Sequence, residues 1–222
     1  MIPAANGEKR GVIYTFYSFK GGVGRSMALA NVAALLAKWG YSVLVVDWDV
    51  EAPGIERFFT RDNPGIQNLR ANTPGVVDLV QAKSDGAPFP WRDCLIDVKI
   101  GSNSSRLSLL TAGRSGEDYT SRLHALNFPE LFDKHELGSY IEELRNEWAA
   151  EYNFVLVDSR TGVTDHWRDM HGPLGRCSCA AIYDNRVEHR GRAGDSRASQ
   201  EGAGTFSAGP QEALCSAGAG QG

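Results

Sequence analysis

Val12-Ile-Tyr-Thr-Phe-Tyr-Ser-Phe-Lys-Gly-Gly-Val-Gly-Arg-Ser-Met-Ala28 is the stretch that decides the fold. Val12 to Tyr17 are all β-branched or aromatic, the composition of a buried strand. A glycine-rich turn follows. Ser26 to Trp39 then reads as a helix, with Met27, Ala30, Ala34 and Ala37 on one side and Gly40 as its C-cap. Strand, glycine turn and helix together form a phosphate cradle. Gly21, Gly22 and Gly24 let backbone N–H groups approach an anion closely, and the helix N-terminus adds its positive dipole end. Arg25 supplies a cation and Ser26 a hydroxyl suited to Mg²⁺.

Outward from this stretch, Tyr41 to Val46 is a second buried strand that ends in Asp47-Trp48-Asp49. Strand, crossover helix and strand within about 35 residues make a βαβ unit and imply a parallel sheet. Glu51 to Phe59 reads as a short helix, Asp62 to Pro74 as a loop, and Val76 to Lys83 as a helix. Cys94 to Ile100 and Arg106 to Thr111 read as a hairpin. Leu131 to Ala150 reads as one helix with Tyr140, Leu144 and Trp148 on a stripe. Asn153 to Val157 is another buried strand, ending at Asp158. The expected fold is a doubly wound α/β domain of three α/β/α layers, with a mainly parallel sheet, over residues 11–165 behind an arm at 1–10. The first strand is expected at its centre, flanked by the strands that end at Asp47 and Asp158. Those strand-end carboxylates then share a rim with the glycine turn, where Mg²⁺ and an attacking water are managed.

The 222 residues carry a net charge of −4, which gives no global drive towards nucleic acid. No apolar run reaches the roughly 18–20 residues of a membrane span, and residues 1–10 hold no signal-peptide core. A cytoplasmic protein is the default expectation. Of Cys94, Cys177, Cys179 and Cys215, only Cys94 lies within residues 11–165, so no disulfide framework is implied. His166, His171, Cys177 and Cys179 match no common zinc spacing. After Asp165 the character changes. Residues 166–222 hold ten glycines but only Leu174, Ile182, Val187 and Leu214 among Ile, Leu and Val, and read as disordered.

The strict Walker A pattern fails twice, at Phe19 in place of its first glycine and at Arg25 in place of its lysine. A dinucleotide fingerprint fails too, since Gly22-Val-Gly-Arg-Ser-Met27 lacks its third glycine. No Asn-Lys-x-Asp guanine motif is present, which favours ATP. Tyr17-Ser-Phe-Lys-Gly-Gly-Val-Gly-Arg-Ser-Met-Ala-Leu-Ala-Asn31 resembles the ParA/MinD-type ATPases, and more narrowly a subgroup whose final signature lysine is arginine. Val46-Asp-Trp-Asp-Val-Glu-Ala-Pro-Gly54 and Asp158-Ser-Arg-Thr-Gly-Val-Thr-Asp165 resemble that group's acidic motifs. The resemblance covers residues 10–165 and implies ATP and Mg²⁺ as ligands. It assigns Gly21, Gly22, Val23, Gly24, Arg25, Ser26 and Met27 to the nucleotide, and Ser26, Asp47 and Asp158 to the metal. Asp47 and Asp49 match the pair that orders Mg²⁺ and the hydrolytic water. Lys20 matches the lysine that reaches across a homodimer to the partner's phosphates.

The resemblance implies an ATP-dependent dimerising switch with weak hydrolysis and a partner protein that the sequence does not identify. A nucleotide-binding regulatory module without hydrolysis is the alternative. A bacterial P-loop tyrosine kinase is disfavoured, because residues 166–222 contain one tyrosine, Tyr183. In the subgroup, Gly-Val-Thr-Asp is followed by a run such as Ile-Gly-Gly-Ile-Cys-Thr. Codons for His166-Trp-Arg-Asp-Met-His171, read one nucleotide later, permit that run. Residues 166–222 are therefore expected to be an out-of-frame translation of a longer ATPase, leaving a chain that is poorly soluble and binds ATP weakly.

Overall fold

The structure is a computed structural model that describes residues 10–18, 22–101, 103–159 and 177–181. Strand β1 is Val12–Tyr17, followed by helix α1, Arg25–Lys38, and strand β2, Val43–Asp47. A 3-10 turn at Ile55–Phe59 leads to α2, Ile66–Asn72, and α3, Val76–Ser84. The hairpin β3, Leu95–Ile100, and β4, Asn103–Leu110, precedes α4, Tyr119–Ala125, α5, Phe128–Lys134, and α6, Leu137–Glu151. Strands β5, Phe154–Asp158, and β6, Cys177–Ala181, complete a six-stranded sheet in the order β3-β4-β2-β5-β1-β6. Among the described residues only the β3–β4 pair is antiparallel.

Alternation along the strands divides the core between two faces. Leu44, Val46, Val155 and Val157 pack with α3 and α6 in one cluster, around Leu144 and Trp148. Val43, Val45 and Leu156 pack with Leu29, Ala30, Ala33 and Ala37 of α1 and with Ile66 of α2 in the other. The sheet is thus sandwiched between helices in the expected three layers.

Several local expectations need correction. Strand β1 is not flanked by β2: β5 lies between them, with Phe16 and Asp47 both in register with Asp158. A βαβ unit fixes parallel strands and a crossover, but not whether the two strands are neighbours. Residues 62–74 are not all loop, since Ile66 is 1% exposed and anchors α2. The long helix read over 131–150 is two helices, α5 and α6, joined at Glu136 with φ 51°, and α4 precedes them. On α1 the buried residues include Leu29 and Ala33, whereas Met27 is 52% exposed. Residues Cys177–Ala181, read as part of a disordered tail, form β6 in parallel with β1. The rest of 160–222, including Arg160 and Tyr183, lies outside the described residues. Among the described residues no helix is long and apolar enough to cross a membrane.

Candidate functional site

The site is built at the C-terminal ends of β1, β2 and β5, where α1 begins. Phe19, Lys20 and Gly21 lie outside the described residues. Gly22 and Gly24 take φ values of 74° and 82°, a left-handed backbone that a side chain would strain. Gly24 caps α1 without a side-chain partner for the first-turn N–H groups, and its carbonyl accepts from Ala28 at 2.9 Å. The N–H groups of that first turn have no intrahelical acceptor, and with the helix dipole they suit an anion at this end of α1. Val23 is half-buried, and Met27 is exposed at the same end of the helix.

Arg25 does not point to solvent. It is 6% exposed, and its Nε donates to Asp158 Oδ1 at 2.5 Å while Nη2 donates to Asp49 Oδ2 at 2.6 Å. Burial opposes the guanidinium charge, but Asp158 and then Asp49 outweigh it and raise the pKa. Nη1 is buried with no hydrogen-bond acceptor among the described residues. The Ser26 hydroxyl lies near enough to the Asp158 carboxylate to lower its pKa. Burial raises Asp158 above the ordinary carboxylate range, against the pull of Ser26 and Arg25.

Asp47 sits beside these groups but faces elsewhere. It is 1% exposed, and its two oxygens accept from the N–H groups of Asp49 at 3.2 Å, Gly54 at 3.1 Å and Ile55 at 3.4 Å. Its carboxylate therefore folds the 49–55 loop back on itself. Burial pushes its pKa up to about 7, with the backbone donors opposing and Asp158 and Glu56 adding to the rise. Asp49 in turn accepts from Ala52 N at 3.4 Å.

The structure brings Arg25, Ser26, Asp49 and Asp158 into one cluster and makes Asp47 its scaffold. A hard dication takes oxygen ligands, which Ser26, Asp49 and Asp158 offer. A buried guanidinium nitrogen that lacks an acceptor suits an anion, and the first turn of α1 suits phosphate. The residues present thus fit a magnesium nucleotide.

Two supporting groups carry no motif. The Tyr119 hydroxyl donates to the Val50 carbonyl at 2.8 Å and pins the loop next to Asp49. Buried Asp78 accepts from Gly75 N at 2.9 Å, from Arg114 at 2.7 Å and from Arg122 at 2.9 Å. It thereby ties α3, α4 and the segment after β4 together. Both contacts join residues far apart in the chain, so no local pattern announces them.

A glycine turn between β1 and α1, with carboxylates from neighbouring strands on the same rim, defines a P-loop nucleotide-binding α/β domain. Residues 14–180 match the family model described as the CobQ/CobB/MinD/ParA nucleotide binding domain, and the chain belongs to that family. It is 27% identical over 152 residues to the septum site-determining protein MinD of Helicobacter pylori, covering 68% of this chain and 46% of that protein. It is 34% identical over 98 residues to the iron-sulfur cluster carrier protein of Mycobacterium leprae, covering 41% and 26%. The septum site-determining protein MinD complexed with Mg-ADP from Pyrococcus horikoshii superposes with a TM-score of 0.48 at 18% identity, covering 69% of this chain and 51% of that one. The chain spans less than half the length of the curated relatives it matches here.

Proposed function

We propose that this chain binds ATP with Mg²⁺ at Gly21–Met27 and, in its arginine-bearing variant of the ParA/MinD signature, serves as an ATP-dependent dimerising switch in the cytoplasm. The observation that carries the reading is the buried trio of Arg25, Asp49 and Asp158 at the start of α1, with half-buried Ser26 beside it. The turn's N–H groups and the α1 dipole hold the phosphates, and Arg25 turns a guanidinium edge to them. Ser26 and Asp158 hold the metal, directly or through water, and Asp47 keeps the 49–55 loop in place. When bound, Mg²⁺ neutralises phosphate charge and polarises the terminal phosphoryl group. Asp49 orients the attacking water, and Lys20 reaches the partner's phosphates.

Hydrolysis is weak in this reading, because the guanidinium of Arg25 is bulkier and less of a point charge than the lysine it replaces. The same exchange favours the alternative of a nucleotide-binding module that does not turn over. Sedimentation velocity with a non-hydrolysable ATP analogue and Mg²⁺ tests the switch. Wild type is expected to dimerise and Lys20→Ala to stay monomeric; a wild type that remains monomeric sinks the dimer. Phosphate release that vanishes in Asp49→Ala supports a switch that hydrolyses ATP, whereas ATP binding with no release supports the module.

A further inference from the structure

Arg25 uses two different nitrogens on two different carboxylates. Nε lies 2.5 Å from Asp158 and Nη2 lies 2.6 Å from Asp49, so one planar edge of the guanidinium bridges strands β5 and β2 at their ends. Side-chain exposures of 6%, 2% and 11% for Arg25, Asp158 and Asp49 keep solvent from screening the trio. One positive and two negative charges leave a net of −1, already largely neutralised. The oxygens in use are those that a hard dication would need.

We propose that Arg25 is a built-in counter-ion: in the nucleotide-free chain its guanidinium holds the divalent-cation position between Asp49 and Asp158, and the metal enters only once nucleotide phosphates have drawn Arg25 away. This inference rests on the reading that Gly21–Met27 takes ATP. A dication arriving alone meets a buried like charge on its own ligands, and Coulomb repulsion at such range is large where water is scarce. A nucleotide reverses the balance. Its phosphates offer an acceptor to Nη1, which has none among the described residues, and compete for the other nitrogens. As Arg25 moves to the phosphates, Asp158 is freed for the metal and Asp49 for the water beside it. Ser26, the next residue along α1, already lies beside Asp158. A lysine would do so less well, because its ammonium is a compact point charge on a flexible stem and lacks the fixed edge that Nε and Nη2 present.

Two further consequences follow from the cation being part of the protein. ATP should bind without a divalent metal, since Arg25 supplies the charge that metal supplies elsewhere. Metal alone should bind poorly. The test titrates MnCl₂ into the full chain without nucleotide, reading the electron paramagnetic resonance signal of free Mn²⁺, for wild type, Arg25→Lys and Arg25→Gln. Mn²⁺ should bind Arg25→Gln at least about tenfold more tightly than wild type, with Arg25→Lys between them. In parallel, calorimetric ATP titration in EDTA should give wild type an affinity within about tenfold of its Mg²⁺ value, and Arg25→Gln a larger loss. Circular dichroism establishes that each variant is folded, and if Arg25→Gln is not, the wild-type and lysine chains decide. Equal Mn²⁺ affinity across the folded chains overturns the counter-ion. ATP that binds neither with nor without Mg²⁺ overturns the nucleotide reading instead, and the Mn²⁺ ranking still decides the role of Arg25.

Discussion

Arg25→Met tests how much of the fold's stability is stored in the site. Methionine keeps much of the arginine stem's packing while removing the charge. The substitution leaves Asp158 and Asp49, 1% and 8% exposed, without the cation that both contact. Breaking a buried ion pair by removing one partner costs about 3–5 kcal/mol, a large share of a domain stability of roughly 5–15 kcal/mol. The cost must depend on pH with a definite sign. Burial already raises Asp158, and loss of Arg25 raises it further. A carboxylate with a raised folded-state pKa binds its proton more tightly folded than unfolded, so its penalty is absent in acid and grows as pH rises through the folded value. The expected loss is about 3–5 kcal/mol at pH 8 and smaller towards acid, as protonation of Asp158 removes one of the unpaired charges. Urea unfolding followed by tryptophan fluorescence reads it, since Trp48, Trp91 and Trp148 are 7%, 2% and 1% exposed and report on the core. A loss under about 1 kcal/mol at pH 8, or one that grows towards acid, would refute the buried-pair account.

Asp47, with a pKa lifted to about 7, contributes stability that falls as pH rises from the ordinary carboxylate range through about 7. In EDTA, the stability of wild type relative to Asp47→Asn should decline between pH 5 and pH 8, by at most about 1.4 kcal/mol per pH unit; a flat difference counts against it. Gly75→Ala should cost about 1–3 kcal/mol in urea unfolding, because the new Cβ would lie 2.3 Å from the Thr111 carbonyl oxygen, a backbone atom that also accepts from Val76 N; a neutral result would mean that the start of α3 is not tied to the end of β4 as described.

What the sequence disclosed is what lies close together along the chain. The β-branched run of β1, the glycine turn and the alternating core of β2 announce themselves within a few residues. Aspartates at strand ends then fall on one rim wherever parallel strands lie, which is why Asp49 and Asp158 were readable before their neighbours were known. The insertion of β5 between β1 and β2 was not readable, because no local pattern says which parallel strand fills a gap. Met27 occupies a helical position facing the right way but lies at the first turn of α1, where it is exposed. Asp47 and Asp49 look equivalent in Asp47-Trp48-Asp49, and only the return of the loop at Gly54 and Ile55 separates scaffold from site. The slot beside β1 is filled by Cys177-Ser-Cys-Ala-Ala181, residues without a branched or aromatic side chain. So poor a strand former gave no signal.

The most direct measurement is calorimetric titration of ATP into wild type and Ser26→Ala, each with Mg²⁺ and with EDTA. In the proposed site the Ser26 hydroxyl serves the metal beside Asp158 and not the phosphates, so its removal should matter only when metal is present. The account predicts saturable binding of one ATP per chain, weakened about tenfold or more by Ser26→Ala in Mg²⁺ and scarcely at all in EDTA. No heat of binding in either condition, or equal affinity of the two chains in Mg²⁺, would contradict a magnesium nucleotide site at the start of α1.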